Sequence, residues 1–120
     1  MNIPPTTIEC VNQLLQQAPE LRSVYDEHIH NYDELLPHVF FGDMTRYVVW
    51  QVRLGATGPA SPVGRILRAL EQCLASGDEP VAELIVVSFI ENLVEDGDVV
   101  TTLKRLVGPH LEKEIKAYGM

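Results

Sequence analysis

The sequence predicts an all-α protein in which about six helices form antiparallel αα-hairpins, stacked as a short bundle or a solenoid-like array. Apolar residues recur at three- and four-residue spacing along most of the chain, which is the period of an amphipathic helix. No segment of useful length alternates between apolar and polar residues as a half-buried strand does. Proline, glycine and short polar residues separate the apolar segments. A length of 120 residues suits one helical domain, residues 1–120.

The first two helices precede Pro37. Thr6 and Glu9 have the spacing of a capping box, in which each side chain satisfies a free backbone N–H at the start of a helix. This pair predicts a first helix that runs to about Gln17. Pro19 suits the first turn of a second helix, where its missing N–H costs nothing. The apolar stripe of that helix consists of Leu21, Val24, Tyr25, His28, Ile29 and Tyr32.

The third helix is predicted from about residue 37 to 54, before Gly55. One stripe along it contains Phe40, Met44, Tyr47, Val48 and Val52. Four more apolar residues lie off that stripe, so we expect this helix to be central or to carry an exposed apolar patch: Val39, Phe41, Val49 and Trp50. The following segment, 55–62, is rich in Gly and Pro and is too short to separate two domains.

A fourth helix is predicted to begin at Ser61, as N-cap, and Pro62, as first helical residue. Gly77 closes it. Asp78 or Glu79 then caps a fifth helix, which we expect to be the most buried one. Its apolar surface is widened by Leu84 and Val87 beyond the stripe formed by Ala82, Ile85, Val86, Phe89, Ile90 and Leu93.

The sixth helix is expected to follow Gly97, with Asp98 as its cap. Gly108 and Pro109 must kink this helix or split it into two. The short turns at 77–78 and 97–98 force neighbouring helices to run antiparallel. Helices four, five and six are therefore expected to stack as consecutive hairpins, like a short solenoid.

Composition places the chain among ordinary globular proteins, with 46% hydrophobic and 22% charged residues. The start lacks the features of a secretory signal, and the most apolar segment, 81–94, is too short and too polar to span a bilayer. We therefore expect a cytoplasmic protein with no membrane partner. Cys10 and Cys73 fall at apolar helix positions without a CxxC motif or a neighbouring His, which predicts buried free thiols.

The charge is segmented along the chain, with a net value of −8. Acids are in excess over residues 1–45 and 69–103, whereas the charged residues of 46–68 are all basic. An acidic field repels nucleic acid phosphates and attracts basic proteins, so no nucleic acid partner is expected. The four basic residues in the middle segment are expected to pair with acids of the same chain rather than to grip a bound anion: Arg46, Arg53, Arg65 and Arg68.

The densest polar region spans residues 26–43 and contains three of the four histidines. A metal site needs carboxylates and neutral imidazoles that converge on one point. Pro37 disturbs the helical register between Glu34 and His38, so this region predicts a solvated surface more than a metal site. Asp43 lies on an apolar helix side and is expected to pair with Arg46 or another arginine. The candidate binding residues are Asp26, Glu27, His30, Glu34, His38 and Asp43.

Motifs for catalysis are absent from the sequence. None of the four serines lies in a GxSxG elbow, and the glycines at 55 and 58 lack the Lys-Ser/Thr pair of a phosphate-binding loop. The sequence therefore predicts a protein that is not an enzyme and that uses no cofactor.

Several short motifs resemble a poorly characterised family of small bacterial helical proteins. They are PELR at 19–22, YDEH at 25–28, ELLPHVF at 34–40, GD at 42–43, SFIENL at 88–93 and LVGPHL at 106–111. The resemblance implies a bacterial origin and no established activity. Some similar proteins look like immunity partners of secreted toxins.

Three functions remain open from the sequence. The favoured one is a protein-binding module whose acidic surface binds a basic protein, for instance an immunity protein that masks a basic toxin. Carboxylates on the second or the fifth helix would supply that surface, the latter through Glu83, Glu91 and Glu95. An alternative is a metal- or small-ligand-binding protein that uses the polar cluster at 26–43. A third is a structural homo-oligomerisation domain, a homodimer through the apolar surplus of the third helix at Phe41, Val49 and Trp50.

Overall fold

A computed structural model describes residues 3–119, and over these residues the chain is all helical, without strands. The predicted all-α fold class is confirmed. The described residues form seven α-helices: α1 Pro5–Gln17, α2 Leu21–Tyr32, α3 Pro37–Arg53, α4 Pro62–Ala75, α5 Glu79–Ile85, α6 Gly97–Leu103 and α7 Pro109–Ala117. A π-helical segment, Val86–Ile90, and a 3-10 turn, Glu91–Leu93, continue α5. No helix within residues 3–119 is long and apolar enough to cross a membrane.

Two of the predicted helix starts have the capping geometry expected from the sequence. The Ser61 hydroxyl accepts a hydrogen bond from the Gly64 N–H at 3.2 Å at the start of α4. Asp78 Oδ2 accepts one from the Val81 N–H at 3.1 Å at the start of α5. These short polar side chains satisfy backbone donors that the first turn of a helix leaves free.

The capping box predicted at Thr6 and Glu9 is wrong. Helix α1 begins at Pro5, one residue earlier than Thr6, and no side chain caps it. The Thr6 hydroxyl instead donates a hydrogen bond to Asp78 Oδ2 at 2.9 Å. One carboxylate therefore caps α5 and holds the first turn of α1, a contact between residues distant in sequence.

Two further helix starts differ from the prediction. Helix α2 begins at Leu21, because Pro19 lies in the turn before it rather than in its first turn. Gly97 is the first residue of α6 rather than the residue that ends the fifth helix. Asp98 is inside that helix and pairs with Arg53 of α3, so its carboxylate serves a tertiary contact instead of a cap.

The core is arranged around α5 and its π-helical continuation. Ile85, Phe89 and Ile90 are almost completely buried there, and this segment packs against α1, α3, α4 and α7. Helix α4 lies against α5 as expected for a hairpin. Helix α6 packs instead on α3 and on the 3-10 turn at 91–93. Val87 does not widen the buried surface, because its side chain is exposed to solvent.

Residues Gly108 and Pro109 split the predicted sixth helix into α6 and α7. Glu71 of α4 holds the start of α7, where its carboxylate accepts hydrogen bonds from the backbone N–H groups of His110 and Leu111, both at 2.9 Å. A Cβ atom at position 108 would lie 2.6 Å from the Glu71 carboxyl carbon. Glycine therefore fits where the chain passes closest to that side chain.

Candidate functional site

A groove between α2 and α3 is the site that brings predicted binding residues together with exposed aromatic rings. Its volume is about 380 Å³. The α2 wall includes Glu27, Asn31 and Tyr32, and the α3 wall includes Asp43, Arg46, Tyr47 and Trp50. Residues three, four or seven positions apart on a helix lie on one side, which explains how α3 presents these four side chains together. We call this site the α2–α3 groove.

Aromatic side chains give the α2–α3 groove its apolar surface. Trp50 is 64% exposed and Tyr32 is 46% exposed, both high values for large rings. Tyr47 is half-buried, and burial is the main reason that its pKa is raised above the usual range. Its hydroxyl therefore stays neutral at physiological pH. The groove offers aromatic surface that no described part of the chain covers.

Carboxylates give the α2–α3 groove its negative charge. Glu27 is exposed and forms no ion pair within residues 3–119. Asp43 pairs with Arg46, which lies three residues further along α3. Since Arg46 neutralises one of the two carboxylates, the groove retains an excess of one negative charge.

A buried histidine lies behind Asp43. The Leu36 N–H donates a hydrogen bond to His28 Nε2 at 2.9 Å, so the proton of the neutral ring is on Nδ1. That Nδ1 atom is buried and has no hydrogen-bond partner among the described residues, while Asp43 Oδ2 lies 3.7 Å away. The His28 ring also packs against Tyr32, with ring centroids 5.0 Å apart. His28 thus supports two of the side chains that line the α2–α3 groove.

A second groove lies on the other side of Trp50. It has a volume of about 350 Å³ and shares Arg46 and Trp50 with the first. Arg53 lines it and bonds to Asp96 at 2.7 Å and to Asp98 at 3.1 Å. The hydrogen bond to Asp96 is the main cause that raises the pKa of Arg53. Trp50 and Arg46 therefore form a ridge between two open surfaces.

Comparison with known proteins places the chain in a family. A family model described as "Domain of unknown function (DUF7674)" matches residues 11–119. The chain belongs to the DUF7674 family. The match covers nearly all of the described helices, including both walls of the α2–α3 groove. No curated protein and no solved structure matches the chain.

The six predicted binding residues of this DUF7674 protein lie on several different surfaces. Glu27 and Asp43 line the α2–α3 groove, as described above. Asp26 is exposed on α2 and lies 3.9 Å from Arg22. His30 and Glu34 are also exposed and line neither of the two grooves beside Trp50. Within residues 3–119, no three His, Cys, Asp or Glu side chains are grouped as a metal ion would require.

His38 belongs to a different part of the DUF7674 structure. Its Nδ1 atom lies 2.5 Å from the hydroxyl of buried Ser88, in the π-helical segment. The Ser88 carbonyl oxygen accepts from the Thr45 hydroxyl at 3.1 Å and from Asn92 Nδ2 at 2.8 Å. Side-chain donors therefore hold the widened turn, which explains how the chain tolerates a π-helical geometry there.

Two predictions about charged and apolar side chains have clear outcomes. Three of the four arginines pair with acids as expected: Arg46 with Asp43, Arg53 with Asp96 and Asp98, and Arg65 with Glu20. The prediction is wrong for Arg68, whose guanidinium donates to the Pro59 carbonyl oxygen at 2.9 Å. The apolar surplus predicted on α3 is smaller than expected, because the Phe41 side chain is fully buried. Reasoning from the sequence placed Trp50 in a dimer patch and missed its position beside carboxylates from two helices.

Proposed function

We propose that the protein is a protein-binding module whose α2–α3 groove receives a lysine or arginine side chain of a basic protein partner. The observation that carries the proposal is the position of exposed Trp50 in one groove with Glu27 and Asp43. An aromatic face attracts a cation by about 0.5–2 kcal/mol, and carboxylates add charge-assisted hydrogen bonds. Trp, Tyr and Arg are also the residues most enriched at the centres of protein interfaces.

The charge of the whole chain supports the same class of partner. A net charge of −8 attracts a basic protein from a distance and speeds the encounter. The internal pair of Arg46 with Asp43 supports the expectation that the groove accommodates a guanidinium group. Glu27 has no ion pair among the described residues and supplies the uncompensated charge.

Binding to an arginine-rich peptide tests the proposal. A fluorescently labelled peptide is titrated with the full-length protein and followed by polarisation, with a glutamate-rich peptide of equal length as the negative control. We expect saturable binding of the basic peptide only. Raising the salt from about 0.05 M to about 0.5 M should weaken it several-fold, because the Debye length shrinks from above 10 Å to below 5 Å.

Matched variants assign the binding to the groove. Glu27→Gln and Trp50→Ala should each weaken binding about 5-fold or more, whereas Glu34→Gln removes an exposed carboxylate outside the groove and should weaken it less than 2-fold. Equal losses for Glu27→Gln and Glu34→Gln would indicate general attraction to an acidic surface and would contradict a groove-specific site. Binding that does not respond to salt would contradict the electrostatic part of the proposal.

A narrower version of the proposal is an immunity protein of bacterial origin that masks a basic toxin in the cytoplasm. Its support is the resemblance described from the sequence together with the acidic net charge. Co-expression with a basic toxin encoded by a neighbouring gene tests it. We expect the wild-type protein to restore growth in the presence of the toxin and the Trp50→Ala variant not to restore it.

A homodimer through Trp50 is the competing use of the same surface. Trp50 and Val49 are the members of the predicted dimer patch that are not fully buried. Sedimentation at several protein concentrations separates the two roles, since a dimer would occupy the groove and exclude the basic peptide. The metal- or small-ligand-binding alternative stays a prediction, which metal analysis of the purified protein would test.

A further inference from the structure

Two cysteines meet between α1 and α4, outside the α2–α3 groove. Cys10 is 2% exposed and Cys73 is 6% exposed, and both line one small cavity of about 120 Å³. The two helices that carry them pack directly on each other. Contact with Cys10 lowers the pKa of Cys73, while contact with Cys73 and burial raise the pKa of Cys10.

Cys73 is the less buried member of the pair. Its thiol donates a hydrogen bond to Gln13 Oε1 at 3.7 Å. Gln13 in turn donates to the side chain of exposed Gln72, which lines the same cavity. The cavity therefore has a polar wall that ends at the surface beside Cys73. Cys73 is therefore the thiol that a small oxidant entering along this wall would meet first.

We propose that Cys10 and Cys73 form a reversible intramolecular disulfide when the protein meets a low-molecular-weight disulfide such as oxidised glutathione. The Cys73 thiolate attacks one sulfur of the oxidant, the oxidant's S–S bond breaks, and one glutathione thiolate leaves. The Cys10 thiol then loses its proton as its Sγ atom attacks the Sγ atom of Cys73, and the second glutathione thiolate leaves. Two protein thiols are oxidised to one disulfide, and the oxidant is reduced to two glutathione thiols. Each glutathione thiolate takes up one of the two protons that Cys10 and Cys73 lose.

The disulfide would join the first helix to the fourth and close a loop of about 60 residues. A cross-link of that length restricts the unfolded chain strongly, so the oxidised protein should unfold at a higher temperature than the reduced one. For a domain of this size the expected rise in Tm is about 5–10 °C. Reduction would reverse it.

Mass spectrometry of the full-length protein after incubation with oxidised glutathione tests the proposal. We expect a monomer that has lost two hydrogens and carries no glutathione, and a tryptic map in which the peptides of Cys10 and Cys73 are linked. Titration of denatured protein should find two free thiols before oxidation and none after it. The rise in Tm should disappear when dithiothreitol is added.

Single-serine variants resolve the order of the steps. Cys10→Ser should stop at a stable glutathione adduct on Cys73, and Cys73→Ser should react much more slowly because the remaining thiol is the more buried one. Wild-type protein that keeps both thiols free, accumulates the Cys73 adduct or forms intermolecular dimers would overturn the proposal. The wild-type mass and peptide map decide the question even where a variant folds poorly, and neither depends on the α2–α3 groove.

Discussion

Replacement of Glu71 by glutamine should destabilise the protein through the start of α7. In the folded chain the Glu71 carboxylate accepts three hydrogen bonds, from the backbone N–H groups of His110 and Leu111 and from the His110 ring at 2.6 Å. Loss of a capping acceptor costs about 0.5–2 kcal/mol, and a hydrogen bond to a charged group contributes about 1.5–3 kcal/mol. Glutamine keeps one acceptor oxygen, so we expect Glu71→Gln to lower the free energy of unfolding by about 1–2 kcal/mol.

The stability that Glu71 contributes should depend on pH. Desolvation by burial acts to raise the pKa of Glu71, but the hydrogen bonds from Leu111 and His110 outweigh it and hold that pKa below its usual value. A carboxyl group with a lowered folded-state pKa stabilises the protein above its unfolded pKa, near 4.3, and this contribution is lost as the pH falls through the folded pKa. The stability difference between wild type and Glu71→Gln should therefore shrink below about pH 4.

Urea unfolding followed by far-UV circular dichroism at about pH 7 and about pH 3 measures both effects. Glu83→Gln is the matched control, because Glu83 is an exposed carboxylate on α5 with no ion pair within residues 3–119. We expect the control to stay within about 0.5 kcal/mol of wild type. The reasoning would be refuted if Glu71→Gln lowered the free energy of unfolding no more than the control does at neutral pH. It would also be refuted if Glu71→Gln lowered that free energy equally at both pH values.

Three more substitutions test the packing. Phe41→Ala should lower the free energy of unfolding, measured in urea, by about 3–5 kcal/mol because the ring is fully buried. Trp50→Ala should change that free energy by no more than about 0.5 kcal/mol, although it removes a larger ring. Similar losses for the two would contradict the assigned exposures. Gly64→Ala should destabilise by about 1–3 kcal/mol, because the new Cβ would lie 2.6 Å from the Pro59 carbonyl oxygen. A gain of about 1 kcal/mol, as helix propensity alone predicts, would show that this loop moves freely.

Helix boundaries set by local chemistry were predictable from the sequence. The Ser61 and Asp78 caps need only a short polar side chain and a free backbone donor a few residues away, so their sequence pattern is sufficient. The predictions of a capping box at Thr6 and of a cap at Asp98 were wrong, because both side chains bond to partners more than 40 positions away along the chain. The sequence contains the competing partners but not the distances that decide between them.

The candidate site was predictable in its residue types but not in its grouping. Glu27 and Asp43 belong to different helices, and only the packing of α2 against α3 brings them to one groove. Phe41 and Trp50 both lie off the main apolar stripe of α3, yet one is fully buried and the other largely exposed. The π-helical segment packs on α3, where Thr45, four residues after Phe41, bonds to the Ser88 carbonyl oxygen. Helical periodicity gives no information on such coverage.

The π-helical segment at Val86–Ile90 has a consequence for how the chain tolerates changes of length. A π-helical turn holds one residue more than the α-helical turn it replaces, while the helix on either side keeps its orientation. Removal of Val87, whose side chain faces solvent, would return the turn to ordinary α-helical geometry without rotating Ile85 away from the core. A variant that lacks Val87 is therefore expected to keep the same fold.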